Sequence, residues 1–119
     1  MKKFKPEQIA EIAVAALEEL KAINVQVLDV TALTTITDIM IIASGRSGRQ
    51  VKALADKVQE KAKQSGIPPL GVEGEREAEW ILVDLGDVIV HIMQPATRTY
   101  YQLEKLWGVE QAMQDKTSV

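Results

Sequence analysis

The chain has 119 residues, 46% of them apolar and 26% charged, with a net charge of −3 and no cysteine. That length suits one domain with its own core, and the apolar content excludes wholesale disorder. The acidic balance argues against a free-standing nucleic-acid binder, which needs a basic surface; without cysteine there is no disulfide framework or thiolate metal site, and the lone histidine, His91, cannot build a histidine-rich one.

The basic opening MKKFKP is followed by no apolar h-region, and no run reaches membrane-spanning length, so a cytoplasmic protein is expected. Pro6 and Glu7 suit the first turn of a helix, one needing no N–H partner and the other placing a carboxylate at the positive end of the dipole. Ile9, Ile12, Ala13, Ala16, Leu17 and Leu20 then recur at three- and four-residue steps, which predicts an amphipathic helix to about Lys21. VQVLDV (Val25 to Val30) reads as a strand, TALTTIT as a loop, and DIMIIAS as a short strand buried on both faces. A second helix is expected from Ser47, where Ser47 and Gln50 have the spacing of a capping box. Val51, Leu54, Ala55, Val58 and Ala62 give its apolar stripe, and Gly66 suits the position just past its end. Pro68 and Pro69 forbid helix in IPPLGVEGE, leaving room for an edge strand over Leu70 to Val72.

WILVDLGDVIVHIM predicts a hairpin about Gly86-Asp87, whose leading glycine fits a type II′ turn. That turn pairs Leu85 with Val88, Val83 with Val90 and Ile81 with Ile92, an aliphatic face assigned to the core. Trp80, Leu82, Asp84, Ile89, His91 and Met93 fall on the opposite face, too apolar for plain solvent and too polar for a core. A last helix is expected from Pro95, with Ala96, Tyr100, Leu103 and Trp107 aligned and Gly108 ending it. The order predicts one α/β domain with a mixed, mostly five-stranded sheet and flanking helices, spanning residues 1–107, with 108–119 a partly disordered extension.

SGRSGRQV (Ser44 to Val51) joins a strand to a helix, where many proteins hold phosphate. Gly48 is followed by Arg49 and Gln50 rather than the lysine and hydroxyl of a P-loop, and the three spaced glycines of a dinucleotide fingerprint are missing. Arg46 and Arg49 still stand where an anion meets a helix N-terminus. The plainer reading is that Gly45 turns the chain and Ser47 caps the helix. Asp84 and Asp87 are expected on different faces, unsuited to holding a catalytic metal together. Ser44, Ser47 and His91 lack the Gly-x-Ser-x-Gly elbow of a hydrolase, and the acidic stretch EGEREAE (Glu73 to Glu79) reads as a solvated loop. No catalytic, cofactor or metal site is assigned.

TDIMIIASGRSGRQV (Thr37 to Val51), GVEGE (Gly71 to Glu75), WILVDLGDVIVH (Trp80 to His91) and YYQLEKLW (Tyr100 to Trp107), in that order, resemble the ribosomal silencing factor family, also called Iojap-related. The resemblance implies a nucleotidyltransferase-like fold without the catalytic carboxylates. It also implies binding to large-subunit ribosomal protein fourteen, where the small subunit would dock, so that subunit joining is blocked and translation repressed. A part in large-subunit assembly and a homodimer are implied as well. Beside this, the mixed hairpin face gives the contact: Trp80 as aromatic anchor, Leu82, Asp84, Ile89, His91 and Met93 around it, acidic Asp84 steering a basic partner. A helix covering this face would make Trp80 core instead. A nucleotide-using transferase and a self-associating module remain alternatives; magnesium-dependent ATP binding would mark the first, dimers that ignore ribosomes the second.

Overall fold

A computed structural model describes residues 4–103, so Trp107, Gly108 and the 108–119 extension lie outside the described residues. Helix α1 (Pro6–Glu19) has proline in its first turn and buries Ile9, Ala10, Ala13, Ala16 and Leu17. It ends on Leu20 with Lys21 at φ 60°, and the Ala22 N–H reaches back to the Leu17 carbonyl. Strand β1 (Ile23–Asp29) follows, bulged between Ile23 and Gln26 with Asn24 at φ 52°. Strand β2 (Ile39–Ser44) is buried at every position, as its unbroken apolar run predicts.

Helix α2 (Gly48–Gln64) starts where the cap predicts: the Ser47 hydroxyl accepts from the Gln50 N–H at 3.2 Å. The reciprocal half differs from a capping box. The Gln50 side-chain oxygen accepts from the Arg46 N–H at 2.7 Å, and its amide donates to the Leu20 carbonyl at 3.2 Å. Gln50 thus ties the start of α2 to the end of α1 instead of closing a purely local ring. At the far end Gly66 takes φ 88°, and the N–H groups of Gly66 and Ile67 bond the Lys63 and Ala62 carbonyls, closing the helix with buried Ile67 beneath.

Strands β3 (Gly71–Glu73), β4 (Trp80–Asp84) and β5 (Val88–Met93) complete a five-stranded sheet in the order β1-β2-β5-β4-β3. The β2–β5 pair is parallel and the others antiparallel, so the sheet is mixed, as expected. The hairpin register is the predicted one: Ile81 opposes Ile92, Val83 opposes Val90, and the Leu85 N–H bonds the Val88 carbonyl. Gly86 has φ 89° while Asp87 does not have positive φ, which is the type II′ pattern.

The strands alternate between two faces. Ile39, Ile41, Ala43, Ile81, Val83, Val88, Val90 and Ile92 turn to α1 and α2 and form the main core. The other face carries a smaller cluster of Leu28, Val30, Met40, Ile42, Met93 and Leu103, with Trp80 packed against it. Helix α3 (Pro95–Tyr101) begins at Pro95 as expected but departs from the sequence reading in its length and in the face it buries. It stops after seven residues at Gln102, in the left-handed region at φ 51°; Ala96 and Tyr100 are exposed, and Arg98 is the residue it buries. The reason is polar: the Arg98 guanidinium donates to the Ser44 hydroxyl at 3.0 Å and the Ile23 carbonyl at 3.5 Å, anchoring the helix by hydrogen bonds instead of an apolar stripe.

Candidate functional site

The hairpin brings all six predicted face residues together. Trp80 opposes Met93, Leu82 opposes His91, and Asp84 opposes Ile89, so their side chains share the sheet face that α1 and α2 leave free. They lie at different depths. Trp80, Leu82, Asp84 and Ile89 are half-buried, His91 is 6% exposed, and Met93 is fully buried. The expectation that all six are left to meet a partner is therefore corrected for two: Met93 is taken up by the smaller core that includes Leu103, and His91 is buried and bonded to Trp80. The cover is partial. It reaches the Trp80–Met93 end and leaves a surface of Trp80, Leu82, Asp84 and Ile89.

Trp80 is held from two sides. Its indole N–H donates to His91 Nδ1 at 2.9 Å, and its ring meets Tyr101 at 5.0 Å between centroids, tilted by 51°. Tyr100 stands edge-on to Tyr101 at 4.9 Å and is 78% exposed. The α3 tyrosines thus extend the aromatic surface. Helix periodicity turns Tyr100 inward and so passes over Tyr101; the adjacent aromatic pair Tyr100-Tyr101 is the signal in the sequence that points to it. Burial lowers the His91 pKa to about 4, so the imidazole is neutral at physiological pH. A shallow cavity of about 220 Å³ is lined by Trp80 and Leu82 together with Glu73 and Gly74. Glu73 ends β3 and lines this cavity, and Glu75, Glu77 and Glu79 are exposed on the connection into β4, which gives the face an acidic rim. The solvated-loop reading holds except at Glu73, which is in a strand, and Ala78, which is buried. Asp84 also has a local duty: its carboxylate accepts from the Gly86 N–H at 2.8 Å and braces the hairpin turn.

The other sequence candidates are not brought into reactive arrangements. Ser44 is buried and accepts from Arg98, whereas His91 accepts from Trp80, so the two do not form a nucleophile–base pair. Arg46 and Arg49 are exposed at the start of α2. Among the described residues no group of three or more His, Asp or Glu side chains could hold a metal ion, and no helix is long and apolar enough to cross a membrane.

Fold and face together define the class: a mixed-sheet α/β domain with two helices packed on one sheet face, the other face bearing an aromatic surface with an acidic rim. Comparison with known proteins carries this to a family. The family model described as Ribosomal silencing factor during starvation matches residues 3–119, and the chain belongs to that family. Ribosomal silencing factor RsfS of Chromobacterium violaceum is 49% identical over 102 residues, covering 86% of this chain and 84% of that one. The Bacillus subtilis protein of the same name is 42% identical over 100 residues, covering 84% and 85%. A mouse protein named Mitochondrial assembly of ribosomal large subunit protein 1 is 33% identical over 100 residues, covering 82% of this chain and 44% of its own length. A crystal structure of a Chromobacterium violaceum protein is similar with a TM-score of 0.86 at 47% identity, covering 87% of both chains. One from Bacillus halodurans gives 0.78 at 37% identity, covering 86% and 95%.

Proposed function

We propose that this chain silences ribosomes by steric occlusion. It docks on the large subunit through ribosomal protein fourteen, covers the surface where the small subunit would bind, and so represses translation in the cytoplasm. The observation that carries this reading is the half-buried, partly open Trp80 on the sheet face opposite α1 and α2 in a silencing-factor family member. A rigid, partly open aromatic is a usual anchor of a protein contact, and the acidic rim complements a basic ribosomal protein. The name of the mouse relative supports a further part in large-subunit assembly. Occlusion neither makes nor breaks a covalent bond, so the mechanism requires no cofactor.

The test mixes the protein with separated ribosomal subunits. It should bind the large one, reduce formation of joined ribosomes without nucleotide, and lose its effect once joining is complete. Equal binding to both separated subunits with no change in joining would count against the proposal, and dimers that ignore both subunits would favour a self-associating module.

A further inference from the structure

His91 lies directly between two apolar cross-strand neighbours, Ile42 on β2 and Leu82 on β4, and is 6% exposed. Burying an imidazole there is unfavourable unless its polar atoms are used. Nδ1 is used: it accepts the Trp80 indole N–H at 2.9 Å, which assigns the ring proton of the neutral imidazole to Nε2. Trp80 is not directly opposite His91, since Trp80 faces Met93 and His91 faces Leu82. The bond therefore runs diagonally across the strand pair and leans the indole along the sheet, with ring centroids 5.7 Å apart and tilted by 54°. Tyr101 closes on the indole from α3. A half-buried tryptophan without such a bond would distribute over staggered rotamers, and binding through one of them weakens in proportion to the fraction that is competent.

We infer that His91 is a positioning residue of the docking face: without touching the partner, it holds the Trp80 indole in the orientation that the partner protein meets. This inference rests on the docking role proposed for the Trp80 face.

The test uses the full chain with Trp107→Phe, which leaves Trp80 the sole tryptophan and its indole N–H a single NMR resonance. His91→Leu removes the acceptor but keeps an apolar side chain of similar bulk; His91→Gln restores an acceptor. In His91→Leu the indole resonance should shift and exchange faster with solvent, and affinity for isolated large subunits should fall about tenfold, as expected if the competent orientation drops to roughly a tenth. His91→Gln should recover much of both. An indole signal that changes while His91→Leu binds as tightly as the parent would overturn the inference, as would equal losses in both variants with the signal unmoved. Should His91→Leu not fold, His91→Gln decides: signal and affinity must stay or move together, and either moving alone overturns the inference. Trp80→Ala, measured in parallel, separates the two ideas. If it binds normally, the docking role fails and this inference with it; if it loses binding while His91→Leu retains it, only the inference fails.

Discussion

At Gly45 and Ser47 a motif that resembles a phosphate loop has an architectural explanation at each residue. Ser47→Ala removes the acceptor for the Gln50 N–H and should lower stability by about 0.5–2 kcal/mol in denaturant melts. Gly45 is not required for a left-handed backbone, since its φ is not positive. It is required for space: an added Cβ would lie 3.0 Å from the Val51 nitrogen and 3.2 Å from Leu54 Cδ1. Gly45→Val should therefore be worse than Gly45→Ala, by about 1–3 kcal/mol of overpacking. The cap was legible in the sequence because its partners are three residues apart; the crowding was not, because it depends on how α2 returns over β2. His91 adds a pH dependence at this scale. Its folded pKa of about 4 lies below the ordinary value of 6.5, so the unfolded chain binds the extra proton first. Stability attributable to the neutral ring is complete above pH 6.5 and is lost as pH falls towards 4. Each tenfold difference in proton affinity between the folded and unfolded chain is worth about 1.4 kcal/mol of that loss. Thermal melts of wild type and His91→Leu between pH 7 and 4 check this: the wild type should lose more, and parallel losses would assign the acid sensitivity to other groups.

At the scale of elements, the hairpin and α3 respond oppositely to sequence reasoning. The hairpin was legible because period-two alternation and a Gly-Asp turn both specify one register, and a slip by one residue would expose the aliphatic face. Val83 is fully buried in that face, opposite Val90 and against the α1–α2 side of the core. Val83→Ala should lower stability by on the order of 2 kcal/mol through the cavity it leaves, while the opposite side, proposed to dock, keeps its chemistry and should keep its affinity once folded. The start of α3 at Pro95 and the burial of Leu103 were legible, but the face that α3 buries was not, because a count of apolar positions gives no weight to arginine. Arg98 is buried by bonds to Ser44 and Ile23, which lie 54 and 75 residues away in sequence, and no local pattern announces such partners. The same anchor sets Tyr101 against Trp80, so the part of the candidate site hidden from the sequence is the part that α3 delivers.

For the molecule as a whole, the mixed five-stranded sheet and the division of the hairpin into an aliphatic core face and a mixed opposite face were legible in residue types alone. The depth of each residue on the mixed face was not, because it depends on what crosses the sheet: Leu103 and α3 bury the Met93 end, while Leu82, Asp84 and Ile89 stay half-buried. That difference sharpens the test of the docking proposal. Trp80→Ala removes the anchor and should weaken large-subunit binding by about thirtyfold, the effect of losing roughly 2 kcal/mol. Because Trp80 also packs on the smaller core, a modest drop in melting temperature is expected, and outright unfolding would mark it as core instead. Asp84 needs a subtler change, since its carboxylate braces Gly86 as well as contributing charge. Asp84→Asn keeps an acceptor for the turn and removes the charge, so it should leave the fold intact while slowing association and flattening its salt dependence. Asp84→Lys loses both roles, and should slow association further and loosen the hairpin. Association rates on isolated large-subunit protein fourteen, measured at several salt concentrations beside thermal melts, separate the two effects. If Asp84→Asn and Trp80→Ala both stay folded and bind as wild type, the contact lies off this face, with the exposed Glu73–Glu79 rim the next surface to probe.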